Sequence, residues 1–315
     1  MRAIQVTATG GPEVLTPVEL PDPEPGPDQI LVRVDAAGVN YGDTHVTEGS
    51  YLTRTVLPYV PGSEVAGRTG TGRRVMAFVD GGGYAELTVV PASAAVDLPD
   101  GIDDGVALAL LAQGLSAWHL VRSCARLEQG ETVVVNAAAG GVGTLAVQLA
   151  KTFGAGRVIA TASTEDKQRL ALDLGADAAV DGAADGYAER VIAANGGRKV
   201  DVVLDAVSGR VFDAALDALD HFGRLVTFGA ASREAPGRID PGRLMRRNLA
   251  VVGFWLVPLL ARPAMIGPPL AEMFGLVAEG RLRPIVGAEY PLAEARRAHE
   301  DLLARRTKGK LILRP

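Results

Sequence analysis

Two textures of hydrophobic and polar positions divide the chain. Up to about residue 100, short apolar runs such as 30–34 (Ile-Leu-Val-Arg-Val) and 85–90 (Ala-Glu-Leu-Thr-Val-Val) are bounded by proline and glycine, as at 21–27 and 81–83. This pattern predicts strands joined by tight turns. Residues 107–121 then read as a helix. From Glu131 onward, β-branched runs alternate with amphipathic segments of about 10–15 residues, the mark of βαβ units and a parallel sheet. Strands are predicted over 132–136, 158–162, 178–180, 200–204 and 223–228, with helices starting near Gly141, Glu165, Tyr187 and Arg210. Beyond 262 come an apolar helix (269–278), a strand near 284–286, a helix over 292–305 and a last strand over 310–313. That tail is too short to fold alone and is expected to return to the first region. The expected fold class is α/β: a discontinuous, strand-rich domain, residues 1–120 and 262–315, around an inserted Rossmann-type doubly wound parallel sheet, residues 121–261. No internal repeat is visible.

Composition narrows the function classes. A length of 315 residues suits two domains, and a formal net charge of -5 leaves no basic footprint for nucleic acid. The arginine pairs at 73–74, 246–247, 296–297 and 305–306 are spread among acids and read as solvated faces. The opening Met-Arg-Ala-Ile-Gln-Val alternates like a strand and lacks the apolar run of a signal peptide. The greasiest stretch, 249–261, contains Pro258 and falls short of the ~20 residues a bilayer needs. A cytoplasmic protein without a membrane partner is expected. Residues 248–261, with Phe254 and Trp255, are expected in the core, the alternatives being a substrate-pocket lining or a dimer edge. The single cysteine, Cys124, excludes an internal disulfide and a cysteine-rich zinc site, and is expected to be a small buried hydrophobe. His45, His119, His221 and His299 show no ligand spacing, so no metal is expected.

The predicted strand ending at Asn136 runs directly into Ala137-Ala138-Ala139-Gly140-Gly141-Val142-Gly143 and then into a helix. A strand, a glycine-rich turn and a helix in succession make an anion site. N–H groups at the helix start point outward, and missing side chains let a pyrophosphate approach closely. The spacing is that of G-x-G-x-x-G with Ala138 in the first glycine position. Gly140, Gly141, Val142 and Gly143 are therefore expected to bind a dinucleotide. Enzymes that use NAD carry an acid about 20 positions further on, for the ribose 2′-OH. Here Ala162 holds that place, followed by Ser163 and by Lys167, one of only five lysines. The missing carboxylate admits a 2′-phosphate, so NADPH is the expected cofactor, with Ser163 and Lys167 as its phosphate ligands. Glu165 and Asp166 are expected to be first-turn helix acids. Phe228 and Gly229 end a later strand, where open α/β sheets present the ligand crevice.

The string 137–151 (Ala-Ala-Ala-Gly-Gly-Val-Gly-Thr-Leu-Ala-Val-Gln-Leu-Ala-Lys) closely resembles the quinone oxidoreductase branch of the medium-chain dehydrogenase/reductases. So do Gly38-Val39-Asn40-Tyr41-Gly42-Asp43, Tyr51, the run 57–67, Gln113-Gly114-Leu115-Ser116-Ala117-Trp118 and Lys308-Gly309-Lys310, in the family's order across nearly the whole chain. The resemblance implies a GroES-like first domain, a cleft active site, and reduction of quinones or activated enones by NADPH, often in homodimers. Zinc-dependent relatives carry His-Glu where this chain has Ser63-Glu64, which places it in the zinc-free branch. Three departures stand out: His45 where many quinone reductases have tyrosine, Asp181 where relatives place an aromatic or basic residue, and a shortened 67–74 hairpin.

Without a metal, hydrogen-bond donors must stabilise the oxyanion that forms when hydride adds to a carbon conjugated with a carbonyl. Asn40, Tyr51 and His45 are the catalytic candidates: an amide where the family contacts nicotinamide or substrate, a phenol, and an imidazole able to deliver a proton. Ser116 is expected against the nicotinamide, and Asp43 to hold its loop through backbone bonds. The alternatives are an enoyl or tailoring reductase on a biosynthetic intermediate, or a protein that binds NADPH without turnover.

Overall fold

The computed structural model describes Met1 to Pro315 and resolves into two compact units, Met1–Ala112 with Ile285–Pro315, and Gln113–Pro284. The first unit opens with the antiparallel pair β1 (Arg2–Gln5) and β2 (Thr16–Glu19). The long strand β3 (Gln29–Val39) follows and leads into α1 (Tyr41–Glu48). Then come β4 (Glu64–Thr69), β5 (Arg74–Phe78), β6 (Leu87–Pro91), β7 (Val96–Asp97) and the short α2 (Asp104–Leu108).

β3 organises this unit. It pairs antiparallel with β6 at its start and with β4 through its middle, and its register shifts between Val34 and Ala36. Beyond the shift, residues 36–39 are all buried, so both faces of this strand end are covered. The β4–β5 connection is trimmed to a turn at 69–73, and Gly70 and Gly72 there face open space.

The second unit begins with α3 (Leu115–His119). Helical backbone runs from Asp104 to Cys124 with π-helical turns at Ala109–Gly114 and Leu120–Cys124. This stretch is long and apolar enough to cross a membrane, yet 67% of its most apolar 18-residue window is buried, the setting of a core helix. Next come β8 (Thr132–Val135), α4 (Gly141–Thr152), β9 (Arg157–Thr161), α5 (Glu165–Asp173), β10 (Ala178–Val180) and α6 (Tyr187–Ala194). The second half comprises β11 (Val200–Asp205), α7 (Gly209–Ala218), β12 (Leu219–Thr227), α8 (Pro241–Met245), β13 (Ala250–Gly253) and α9 (Gly267–Ala278). The six strands are all parallel in the order β10-β9-β8-β11-β12-β13. This is the doubly wound arrangement expected from the alternation, and its strand order reverses between β8 and β11. Val134, Ile159, Val203 and Leu225, one from each central strand, meet Phe212 and Leu216 of α7 in its core.

The chain then returns to the first unit as β14 (Val286–Pro291), α10 (Ala295–Leu303) and β15 (Lys310–Arg314). β15 pairs with the end of β3 and with β14.

Three expectations change. The unit boundaries fall at 112 and 285 rather than near 120 and 262. The reason is α9, which buries Leu270, Met273 and Leu276, packs against α3 and accepts a 2.7 Å bond from Trp118 Nε1 on Glu272. Residues 248–261 are not core: only Leu249 is buried, and Val257 and Leu260 are exposed. The edge position of β13 leaves that side of the sheet uncovered within this chain. Cys124 is half-buried rather than fully enclosed, and burial still pushes its thiol above the ordinary value.

Candidate active site

In the second unit, four buried residues, Thr-Val-Val-Val, carry β8 to Asn136 at its carboxyl end. Ala137 then adopts a left-handed conformation, φ 51, which turns the chain sharply enough for Gly140 N–H to bond back to Ala137 O at 2.9 Å. Ala138 N–H bonds to Thr161 O at 3.0 Å and pins the turn to the end of β9. Helix α4 starts at once, with Gly140 as an N-cap that offers no side chain and with no acid in the first turn. Its first N–H groups and positive dipole end therefore remain for an anion. A Cβ at Gly143 would lie 2.4 Å from Ala137 O and 2.7 Å from Ala138 Cα, so only glycine lets the helix sit this close to the turn. Gly140, Gly141 and Val142 stay partly open while Gly143 is buried. These features fit a dinucleotide pyrophosphate.

Beneath the turn lies a buried polar network that no local motif announces. Asn136 Nδ2 donates to Asp205 Oδ1 at 3.1 Å, while Asn136 Oδ1 accepts from Thr161 Oγ1 at 2.9 Å and Tyr187 OH at 2.8 Å. The Asp205 carboxylate also accepts from the N–H groups of Val207 and Ser208, both at 3.0 Å. Burial raises the pKa of Asp205, and those donors oppose the shift. Ser208 is held at φ 66 and ψ -165, a conformation glycine ordinarily takes, so the Asp205 bond supports a strained backbone at a strand end. The signals in sequence were slight: an Asn and an Asp, each closing an apolar strand.

Ser163, Lys167, Phe228 and Gly229, also expected to bind the cofactor, follow the carboxyl ends of β9 and β12 in the same sheet. Ser163 is exposed just past β9, and Lys167 is half-buried in the first turn of α5, where Thr164 provides the N-cap. Glu165 and Asp166 are exposed first-turn acids. Asp181 accepts from Ala183 N–H at 3.1 Å, and Arg190 donates to the carbonyls of Asp181, Ala183 and Asp185, so this loop satisfies its own polar groups. Phe228 is half-buried, and Gly229 is exposed and close-packed on Ala206 O. Ser116 is half-buried on α3.

In the first unit, β3 delivers Asn40 to the N-cap of α1, where Asp43 Oδ2 accepts from Asn40 N–H at 2.8 Å. Tyr51 lies over Gly42, where an added Cβ would meet the ring at 3.4 Å, an ordinary van der Waals contact. His45 Nδ1 is 2.8 Å from Ser50 Oγ, and its ring meets Tyr41 edge-on at 5.5 Å. Asn40, His45 and Tyr51 thus lie on the N-cap of α1, on α1 itself and on the loop after it.

Behind them is a second buried network. Asn40 Nδ2 donates to Glu64 Oε1 at 2.6 Å, and Lys310 Nζ donates to Asn40 Oδ1 at 2.9 Å and also to Glu64. Tyr84 OH lies 3.1 Å from Asp43 Oδ2 and 3.1 Å from His299 Nε2. Burial is the main reason that Asp43 is pushed up to about 6 and His299 down to about 4. Nothing in the local sequence pointed to Glu64, Tyr84, His299 or Lys310 as one cluster. Glu64 and Lys310 stood only within runs that match the family, and nothing marked His299, which sits in a charged helix.

No three His, Cys, Asp or Glu side chains come together in a way that would hold a metal ion.

Comparison with known proteins agrees with this division. Residues 26–100 match the alcohol dehydrogenase GroES-like domain, and residues 141–266 match the zinc-binding dehydrogenase family. The quinone oxidoreductase of Pseudomonas aeruginosa is 38% identical, over 100% of this chain and 99% of the relative. The crystal structure of the Thermus thermophilus quinone oxidoreductase, solved also with NADPH, superposes with a TM-score of 0.90 at 41% identity and complete coverage of both chains. The Escherichia coli quinone oxidoreductase complexed with NADPH gives a TM-score of 0.92 at 33% identity, again over 100% of each chain.

Proposed function

The chain belongs to the quinone oxidoreductase branch of the medium-chain dehydrogenase/reductases, and from that premise we propose that it reduces quinones with NADPH. One observation carries the reading: the start of α4 is an uncapped helix end without acids, approached by a turn in which Gly143 admits no side chain. When bound there, NADPH supplies the hydride. The first N–H groups of α4 hold the diphosphate, and Ser163 with Lys167 receives the 2′-phosphate. Asn136 and Asp205 keep the ends of β8 and β11 in register beneath the cofactor, which Ser116, Phe228 and Gly229 border.

In the first unit, Asn40 and Tyr51 donate hydrogen bonds to the substrate oxygen as negative charge grows on it. His45, in contact with the Ser50 hydroxyl, returns the proton. Zinc, which the name of the matched dehydrogenase family suggests, does not suit the donors present. Ser63 offers a neutral hydroxyl, and the neighbouring Glu64 is committed to Lys310.

The enzyme works in the cytoplasm, where reduced dinucleotide is maintained, and as a homodimer. β13 supports the dimer: it is an edge strand of Ala, Val, Val and Gly, followed by the partly exposed apolar run to Leu260. An edge without charge or proline invites pairing with a second copy. Sedimentation at micromolar concentration should give twice the mass of the 32.7 kDa chain; a lone monomer would refute the dimer.

The decisive assay adds NADPH and NADH side by side to 1,4-naphthoquinone and to an enone. Loss of NADPH absorbance with the quinone is expected. Tight NADPH binding without turnover of either acceptor would favour a non-catalytic binder, and turnover of the enone alone would favour a tailoring reductase.

A further inference from the structure

We infer that Lys310 and Glu64 are positioning residues for Asn40, a buried ion pair that sets which end of the Asn40 amide meets the substrate. The inference rests on the assignment of Asn40 as a substrate donor.

Both charged side chains are 0% exposed. They reach the cluster from separate elements, Glu64 from the start of β4 and Lys310 from the start of β15, while Asn40 stands between β3 and α1. The fold makes deliberate room for them. A Cβ on Gly38 of β3 would lie 2.5 Å from Glu64 Oε1, so the carboxylate occupies space that only glycine leaves open. The second Glu64 oxygen accepts from Ala112 N–H at 3.0 Å, which fixes the plane of the carboxylate.

A side-chain amide has nearly the same shape when its oxygen and nitrogen are exchanged, so packing alone does not choose between the two orientations. Charge does. The Asn40 oxygen faces an ammonium and its nitrogen faces a carboxylate, both through charge-assisted hydrogen bonds. A flip would set NH2 against NH3⁺ and the carbonyl against the carboxylate, replacing two attractions with two repulsions. Stability alone does not call for such a pair, because well-packed apolar residues commonly serve as well or better than a buried ion pair. Fixing the polarity of a neighbouring donor does call for it. The ammonium on Oδ1 also draws electron density through the amide, which makes its N–H groups stronger donors to a developing oxyanion.

The test compares the Glu64→Gln/Lys310→Met double variant, which removes both charges at similar volume, with Asn40→Ala and with the triple variant. The expected result with 1,4-naphthoquinone is a fall in kcat of about ten- to a hundredfold for the double variant, with the NADPH Kd changed less than about twofold. In the Asn40→Ala background the same two substitutions should lower kcat by less than about twofold, because they act through a side chain already removed. Equal losses in both backgrounds, or full kcat in the double variant, overturns the inference. Should the double variant not fold, Glu64→Leu/Lys310→Met, which replaces the buried pair by apolar side chains, carries the same comparison.

A second readout needs no turnover. The Asn40 side-chain amide proton held on the Glu64 carboxylate should resonate well downfield of an ordinary asparagine amide and exchange slowly with solvent in the native protein, and should lose both properties in the double variant. Unchanged resonances overturn the inference. Absence of quinone turnover in the native enzyme would refute the proposed function, with the amide spectrum still deciding the role of the ion pair.

Discussion

Asn136 donates to Asp205 across 3.1 Å, joining the ends of the two strands between which the sheet order reverses. Asp205 in turn holds Val207 and Ser208 by their N–H groups. Replacing Asp205 with alanine strips three donors of their acceptor in a buried site. The expected cost is about 2–4 kcal/mol in urea unfolding. The NADPH Kd, read by fluorescence quenching, should rise about tenfold as the strand ends move apart. Unchanged affinity would show that the network is structural only.

Gly143→Ala places a methyl group 2.4 Å from Ala137 O, so either the turn or the helix must move. Calorimetry should show NADPH binding weakened by at least about tenfold, roughly 1.4 kcal/mol or more. Gly70→Ala, where the added methyl meets nothing within 4 Å, is the control and should bind as the native protein does.

The proposed role of Lys167 in the choice of dinucleotide is tested by charge reversal. Lys167→Glu reverses the charge near the 2′-phosphate, and kcat/KM with NADPH should fall about five- to tenfold, as expected for a partly exposed ion pair. The value with NADH should move less than about twofold. Equal losses with both cofactors would remove Lys167 from the phosphate site.

Asp43 and His299, on either side of Tyr84, make stability depend on pH in opposite directions. Asp43 titrates at about 6 in the fold against an ordinary 3.8, so it binds its proton more tightly when folded. Its contribution is fully present below pH 3.8 and is lost as pH rises through about 6. His299 titrates at about 4 against 6.5, so its contribution is present above pH 6.5 and is lost as pH falls through about 4. Over the shared window the two largely cancel. Asp43→Asn should leave a variant that loses more stability on acidification than the native protein, by about 2–3 kcal/mol between pH 6.5 and 4. His299→Gln should shift the slope the other way by a similar amount. Urea titrations of the three proteins at several pH values check both signs, and parallel curves would refute the coupling.

The order of residues alone discloses whatever depends on near neighbours. The glycine turn at 140–143 is legible because strand, turn and helix follow one another within about twenty positions, and each constrains the next through backbone geometry. The succession of β-branched runs and amphipathic helices likewise announces the parallel sheet. Apolarity alone misleads at 248–261, since a greasy segment reads the same whether it fills a core or lies along a sheet edge. The unit boundary near 285 is hidden for a related reason: α9 is as apolar as any core helix, and only its packing on α3 says which core it joins.

The chain by itself therefore determined the alternating strands and helices from β8 to α7, the doubly wound sheet and the glycine-rich turn, because these follow from local periodicity and backbone freedom, but not the helix at 41–48 or the strand at 250–253. Tertiary structure alone decided that Lys310, Glu64 and Asn40 form one cluster, and that Asn136 and Asp205 share a bond. Those partners stand up to 270 positions apart, and their bonds exist only once folding has removed water and buried charges and amides must be satisfied within the protein.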